Sequence, residues 1–310
     1  MTPLVKRLLF ATDFSDCAAR AEDYAVLLAE ACGAGLDILH VLEFQTGMDP
    51  EYPVNQLYLE QLRKQAAGEI DVAVNRISKK VAKVTARQVL GIPSQCINEI
   101  AKETDADLVV LGTRGRTGLE HILLGSTAER VIAGAPCPVL TVRLARGTTL
   151  TAARQGAAPA IRRILAPVDF SDCSLESLEY AAHMAAQFGA AITIFHVMEP
   201  VSYSLDFTLT HAGETRANRE RLESRLTELA APLKRNGLNA DVALRGGVPA
   251  DSILDQEREQ AYDVLVMGTH GRRGVSHLVS GSVAEAVLRR AAGPVLTVKS
   301  PKFRAAHRPN

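Results

Sequence analysis

The chain has 310 residues, with 35 Lys and Arg balanced by 35 Asp and Glu, 47% hydrophobic and 23% charged residues. This ordinary globular composition excludes the disordered and fibrous classes, and the missing basic surplus argues against a nucleic-acid binder, which must neutralise phosphates. No run approaches the roughly 20 consecutive apolar residues that would span a bilayer, so membrane insertion is not expected. The stretch Met1-Thr2-Pro3-Leu4-Val5-Lys6-Arg7 lacks a signal-peptide layout. Five cysteines (Cys17, Cys32, Cys96, Cys137, Cys173) form an odd set without CxxC spacing, so neither a disulfide framework nor a zinc site is signalled and a reduced, cytoplasmic setting fits.

At about 150 residues per domain the length suggests two domains. In chain order the first half reads as strand Leu4–Thr12, helix Asp16–Cys32 closed by Gly33, strand Leu36–Glu43, helix Leu57–Val81 and strand Val84–Leu90. Helix Ser94–Glu103, strand Leu108–Leu111, helix Thr127–Ala133 and strand Val139–Val142 follow. Short aliphatic runs without polar alternation suit strands buried on both faces. Their alternation with helices predicts right-handed crossovers and a parallel sheet. Segments Phe44–Gln56 and Val201–Glu214 read as loops. The run 144–160, small, polar and punctuated by Gly and Pro, reads as a linker.

The second half repeats the first. Leu-Leu-Phe-Ala-Thr-Asp-Phe-Ser-Asp-Cys at 8–17 answers Ile-Leu-Ala-Pro-Val-Asp-Phe-Ser-Asp-Cys at 164–173. Asp13 and Asp169 stand 156 residues apart, as do His40 and His196, Gly112 and Gly268, and Gly125 and Gly281. An offset that never drifts indicates duplication of a whole domain. The predicted organisation is therefore α/β, a first domain over 1–143, a second over 161–300, and a basic tail over 301–310.

In open parallel sheets ligands bind beyond the carboxyl ends of the strands, where the strand order switches. The fourth strand of each half runs there into Gly-x2-Gly-x9-Gly-Ser, with Gly112, Gly115, Gly125 and Ser126 in one copy and Gly268, Gly271, Gly281 and Ser282 in the other. Glycines allow a sharp turn and close approach, and a helix starting at Gly125-Ser126 offers free N–H groups and a dipole to phosphate oxygens. The bland alternative is a set of turns and a capping box, Ser126 with Glu129 and Ser282 with Glu285. No GxGxxG follows the first strand and no GxxxxGK[ST] occurs.

Asp13 and Asp169 end the first strands, placed either to accept from ribose hydroxyls or to cap the next helix. Val41 and Val197 could offer main-chain groups to an adenine edge, whereas His40 and His196 read as packed strand-end residues. Arg114 and Arg116, with Arg272 and Arg273, pair with an anion or are solvated loop charge; His270 replaces Arg114, which makes the second site weaker or pH-sensitive. Cys17 and Cys173 lie near helix starts, where thiolates are favoured, but buried packing is the preferred reading. No Ser/His/Asp triad is visible.

Both halves resemble the universal stress protein family, on Ala-Thr-Asp13-Phe-Ser and Ala-Pro-Val-Asp169-Phe-Ser, the His-Val after the second strand, and the paired glycine motifs, which in that family mark an ATP-binding branch. The resemblance covers 4–143 and 162–299. It implies two doubly wound five-stranded sheets of strand order 3-2-1-4-5, pairing of Val139–Val142 with Val295–Val298, and an adenine nucleotide, with Mg or Mn as its companion ion, in each domain. It implies Asp13, Val41, Gly112, Gly115, Gly125, Ser126 and Thr127 for the first site, to which the residues themselves add Arg114 and, at the end of the strand, Ala11. For the second it implies Pro167, Asp169, Val197, Gly268, Gly271, Gly281, Ser282 and Val283, to which the loop itself adds His270. Ala11, where the second copy has Pro167, departs from the residue often found against the base. The function so implied is a cytoplasmic, nucleotide-dependent regulator of the stress response acting on a protein partner not named by the sequence, either alone or as a homodimer. The alternatives are a slow ATPase or phosphotransferase, and a scaffold with vestigial sites.

Overall fold

A computed structural model of the protein describes residues 4–43, 53–113, 124–144, 158–199, 210–270 and 281–299. In the first half the elements are β1 (Arg7–Thr12), α1 (Asp16–Cys32), β2 (Gly35–Leu42), α2 (Pro53–Ile77), β3 (Val84–Leu90), α3 (Pro93–Glu103), β4 (Leu108–Gly112), α4 (Ser126–Gly134) and β5 (Val139–Val142). In the second they are β6 (Arg163–Pro167), α5 (Asp172–Phe188), β7 (Ala191–Met198), α6 (Thr210–Arg235), β8 (Ala240–Gly246), α7 (Pro249–Gln260), β9 (Val264–Gly268), α8 (Ser282–Arg290) and β10 (Val295–Val298). The chain divides into two compact units, Met1–Ala160 and Ile161–Asn310.

Local signals set the helix ends. Ser15 caps α1, its side chain accepting from the N–H of Ala18, and Gly33 ends the helix at φ 63°, a left-handed conformation that only glycine adopts without cost. Ser171 and Gly189 repeat this around α5. The first unit orders its strands β3-β2-β1-β4-β5, and the second β8-β7-β6-β9-β10. Neighbouring strands within each unit run parallel. Each unit is thus a five-stranded parallel sheet of order 3-2-1-4-5, with its switch point between the first and fourth strands. Right-handed crossovers put α1 and α2 on one face and α3 and α4 on the other. The packing agrees: α1 lies on β1, β4 and β5, α2 on β2 and β3, and α3 against α4. Leu8, Leu9 and Phe10 of β1 and Val109 and Val110 of β4 form the dry centre.

Several boundaries differ from the sequence expectation, each for a physical reason. β1 starts at Arg7 rather than Leu4, because the N–H groups of Lys6 and Arg7 donate to Asp107 Oδ2 at 2.8 and 2.9 Å. A side chain, not a ladder, holds the backbone there. β3 is mostly exposed rather than buried on both faces, as the outermost strand of its unit's sheet. Helix α2 spans Pro53–Ile77 instead of Leu57–Val81, and α6 begins at Thr210, so the ends of both expected loops are helical. Residues 44–52 and 201–209, most of the linker and the tail 301–310 lie outside the described residues.

Candidate functional site

Parallel strands bring their carboxyl ends to one edge of each sheet. Register places Thr12 beside His40 and Ala11 beside Leu111, and Gly112 beside Val142. Asp13, Val41, Gly112 and the start of α4 therefore share the edge at the switch point, as do Asp169, Val197, Gly268 and the start of α8. Ala11 is buried within β1, Pro167 is the last, buried residue of β6, and Val41 and Val197 are half-buried.

The turn after the central strand is bent. Phe14 sits at φ 60° and Phe170 at φ 62°, a conformation that costs a non-glycine residue roughly 1–2 kcal/mol. Local bonds hold it. Asp13 Oδ1 accepts from the N–H of Ser15 at 3.1 Å, and Phe14 N–H donates to Thr12 Oγ1 at 3.0 Å. The Phe14 ring stacks on His40 at 4.7 Å, and His40 Nδ1 lies 2.8 Å from the carbonyl of Thr12. In the second unit Asp169 Oδ1 accepts from Ser171 N–H at 3.0 Å and from its hydroxyl at 2.5 Å. Phe170 stacks on His196 at 4.7 Å, whose Nδ1 lies 2.6 Å from the Val168 carbonyl. Both histidines are buried and packed, as read from the sequence. Two further ties occur here: the N–H of Asp169 donates to Ser174 Oγ at 3.3 Å, and the guanidinium of Arg225 lies 4.0 Å over the Phe170 ring.

After β4, Thr113 N–H donates to the Val142 carbonyl, and Gly125 N–H returns to the carbonyl of Thr113 at 2.8 Å. The chain between them is tied at its neck. Thr269 and Gly281 repeat the closure at 2.7 Å. Helix α4 then begins with Gly125 as its cap, at φ −71° and ψ 147°, with no side-chain cap; Gly281 does the same for α8. Ser126 and Ser282 are consequently the first helical residues, not caps, and the capping box expected with Glu129 and Glu285 does not form: the N–H of Glu129 goes to the Gly125 carbonyl at 3.0 Å. The N–H groups of the first turn have no acceptor within the helix. Helices α3 and α7 also start without a side-chain cap, but Pro93 and Pro249 remove a donor there. Ser126 and Ser282 are exposed, while Thr127 and Val283 are half-buried.

Gly112 has a packing reason besides the one its spacing suggested. A Cβ there would meet the backbone of Cys17 and Ala18 at 3.0 Å, and one on Gly268 the backbone of Cys173 at 3.0 Å. The first turn of the first helix by itself requires a glycine at each of these positions. Cys17 and Cys173 are buried and donate to the carbonyls of Val142 and Val298 at 3.2 and 3.4 Å. His270 Nδ1 lies 2.9 Å from Thr269 Oγ1. Arg114, Gly115, Arg116, Gly271, Arg272 and Arg273 lie outside the described residues. Among the described residues no His, Cys, Asp and Glu group could hold a metal ion, and no helix is long and apolar enough to cross a membrane.

Sequence reasoning passed over Phe14, Phe170, Thr113, Thr269, Ser174 and Arg225. Phe and Thr recur at matched positions in both halves, which was the available signal.

The family described as the universal stress protein family matches the chain twice, over residues 5–143 and 160–299. Universal stress protein Slr1230 of Synechocystis is 26% identical over 95% of this chain and 100% of its own length. Universal stress protein MJ0531 of Methanocaldococcus jannaschii is 34% identical over 45% of this chain and 83% of its own length. A crystal structure of a universal stress protein from Archaeoglobus fulgidus shares the fold, with a TM-score of 0.69 at 21% identity, covering 96% of this chain and 97% of that one.

Proposed function

The chain belongs to the universal stress protein family, in tandem form, and on that premise we propose that it is a cytoplasmic regulator that binds ATP or a related adenine nucleotide in each unit. The observation that carries this reading is the open start of α4 and α8. Each presents first-turn N–H groups at the carboxyl edge of its sheet, with a glycine cap that supplies no acceptor of its own. Such a start attracts phosphate through its donors and its dipole. Gly125, Ser126 and Thr127 would hold phosphates in the first unit, and Gly281, Ser282 and Val283 in the second. Gly115 and Arg114, and Gly271 and His270, would flank them. Asp13 and Asp169 would accept from ribose hydroxyls, and Val41 and Val197 would border the base. The residues fit such a ligand by their donor set, and the nucleotide supplies the charged tail that those donors await. The five free thiols accord with a reducing compartment.

Titration calorimetry of the full chain with ATP tests the reading, the expected result being one equivalent bound per unit. Ser126→Glu and Ser282→Glu separate ligand from fold. A carboxylate in the first turn favours the helix dipole but repels phosphate, so affinity falls by about tenfold or more while thermal stability holds. No binding at millimolar ATP overturns the proposal.

A further inference from the structure

We infer that Ile92 in the first unit and Val248 in the second are ligand-contact residues, aliphatic walls for the base at the end of each site farthest from its phosphates. The inference rests on the nucleotide reading of the same edge. Strand order places β4, β1, β2 and β3 side by side, about 4.8 Å apart. With phosphates at the start of α4 beyond β4, ribose at Asp13 beyond β1 and the base at Val41 beyond β2, the next wall along the edge is the turn that follows β3. That turn is joined to β2. Val41 stands beside Val89 and Leu42 beside Leu90, and the N–H of Gly91 donates to the Leu42 carbonyl at 3.0 Å. In the second unit Val197 stands beside Arg245, and the Gly247 N–H donates to the Met198 carbonyl at 3.1 Å.

The turn is set by its own packing. Gly91 has φ 158° and Gly247 φ 141°, conformations that favour glycine, and a Cβ on either would crowd Cys96 Sγ or Ser252 Oγ at 2.7 Å. Ile92 and Val248 come next, 50% and 59% exposed. They are also the cap residues of α3 and α7, and neither makes a side-chain cap hydrogen bond. Helix formation gives no reason for them, since Ser, Thr, Asp or Asn is favoured at a cap. Core packing gives none either, since both side chains face water. An aliphatic side chain at the same exposed place in both units suits a ligand that covers it. A purine, apolar on its flat faces, gains by removing such a surface from water, while the main chain of β2 meets its polar edge.

Titration of the full chain with ATP and with inorganic tripolyphosphate tests this. Ile92→Ser with Val248→Ser should weaken ATP binding about fivefold and leave tripolyphosphate binding unchanged. Thermal stability should hold or rise, because serine is the better cap. Ile92→Leu with Val248→Leu, which keeps the apolar surface without improving the cap, should retain most of the affinity. ATP affinity unmoved by the serine changes, an equal loss with ATP and tripolyphosphate, or an equal loss from the serine and leucine changes would overturn the inference and leave the nucleotide reading standing. A wild-type chain that binds no adenine nucleotide overturns both.

Discussion

In the first unit α1 carries Glu22, whose carboxylate takes both guanidinium N–H groups of Arg76 from α2 at 2.6 Å. The second unit, 156 residues on, has Leu178 and Pro232 at those positions. The reverse substitution occurs near the last strand. Glu257 is buried in the second unit and accepts from the N–H groups of Ala292 and Gly293 at 3.2 and 2.8 Å. The first unit has Ala101 there, with Pro136, which has no N–H, in place of Ala292 and Cys137, which keeps its N–H, in place of Gly293. Glu22 and Arg76 have been exchanged as a pair, and the Glu257 carboxylate together with one of its two amide donors. That is what the energetics require: a matched ion pair exchanged for apolar packing changes stability little, whereas one orphaned partner is costly. The lesson is that one fold can carry two differently partnered sets of polar groups.

The comparison can be broken most forcefully at Glu257. Glu257→Ala leaves the amides of Ala292 and Gly293 without their acceptor, and should destabilise the second unit by about 2–3 kcal/mol, read as a shift of its denaturant transition. A smaller effect is expected at the ion pair. Glu22 holds the Arg76 pKa above its usual value mainly by their hydrogen bond. Yet replacing both partners with leucine, Glu22→Leu with Arg76→Leu, should alter stability by less than about 1 kcal/mol, since the second unit already does without the pair. A double change that costs as much as the Glu257 substitution would refute the idea that partners are exchanged as sets.

The smallest effect lies at the outer strands, where Arg87 of β3 pairs with Glu103 and Arg245 of β8 with Glu259. The Arg245 hydrogen bond, helped by its charge, holds the Glu259 carboxyl below its usual pKa. Its folded value lies beneath the unfolded one, so the contribution is present above the ordinary carboxylate range and fades as the pH falls through the lower, folded value. Arg245→Ala should return the Glu259 carboxyl resonance, followed by NMR titration, toward an ordinary midpoint.

Much of this architecture was legible because its signals are local. Helix α1 was read with its observed bounds, since Ser15, Gly33 and the apolar spacing lie within one short stretch. The constant offset between halves gave the tandem plan. Reading failed where a distant residue decides. Leu4 and Val5 look like strand, but Asp107, a hundred positions away, captures the adjoining N–H groups. The close packing of Gly112 on the first turn of α1 was equally out of reach of its local sequence. Arg225 carried no mark at all, because its stacking on Phe170 depends on how α6 crosses the sheet. The duplicated glycines told where to look, while the tertiary fold decided what each one faces.

The bond from the Gly125 amide to the Thr113 carbonyl has a consequence for how such proteins diversify. Entry and exit of the intervening chain are clasped independently of its contents, and a clasped loop can lengthen at a cost that rises only with the logarithm of its size. With Thr113 and Gly125 joined, the residues between them can differ from one half of the molecule to the other, as Arg114 differs from His270, without disturbing the sheet.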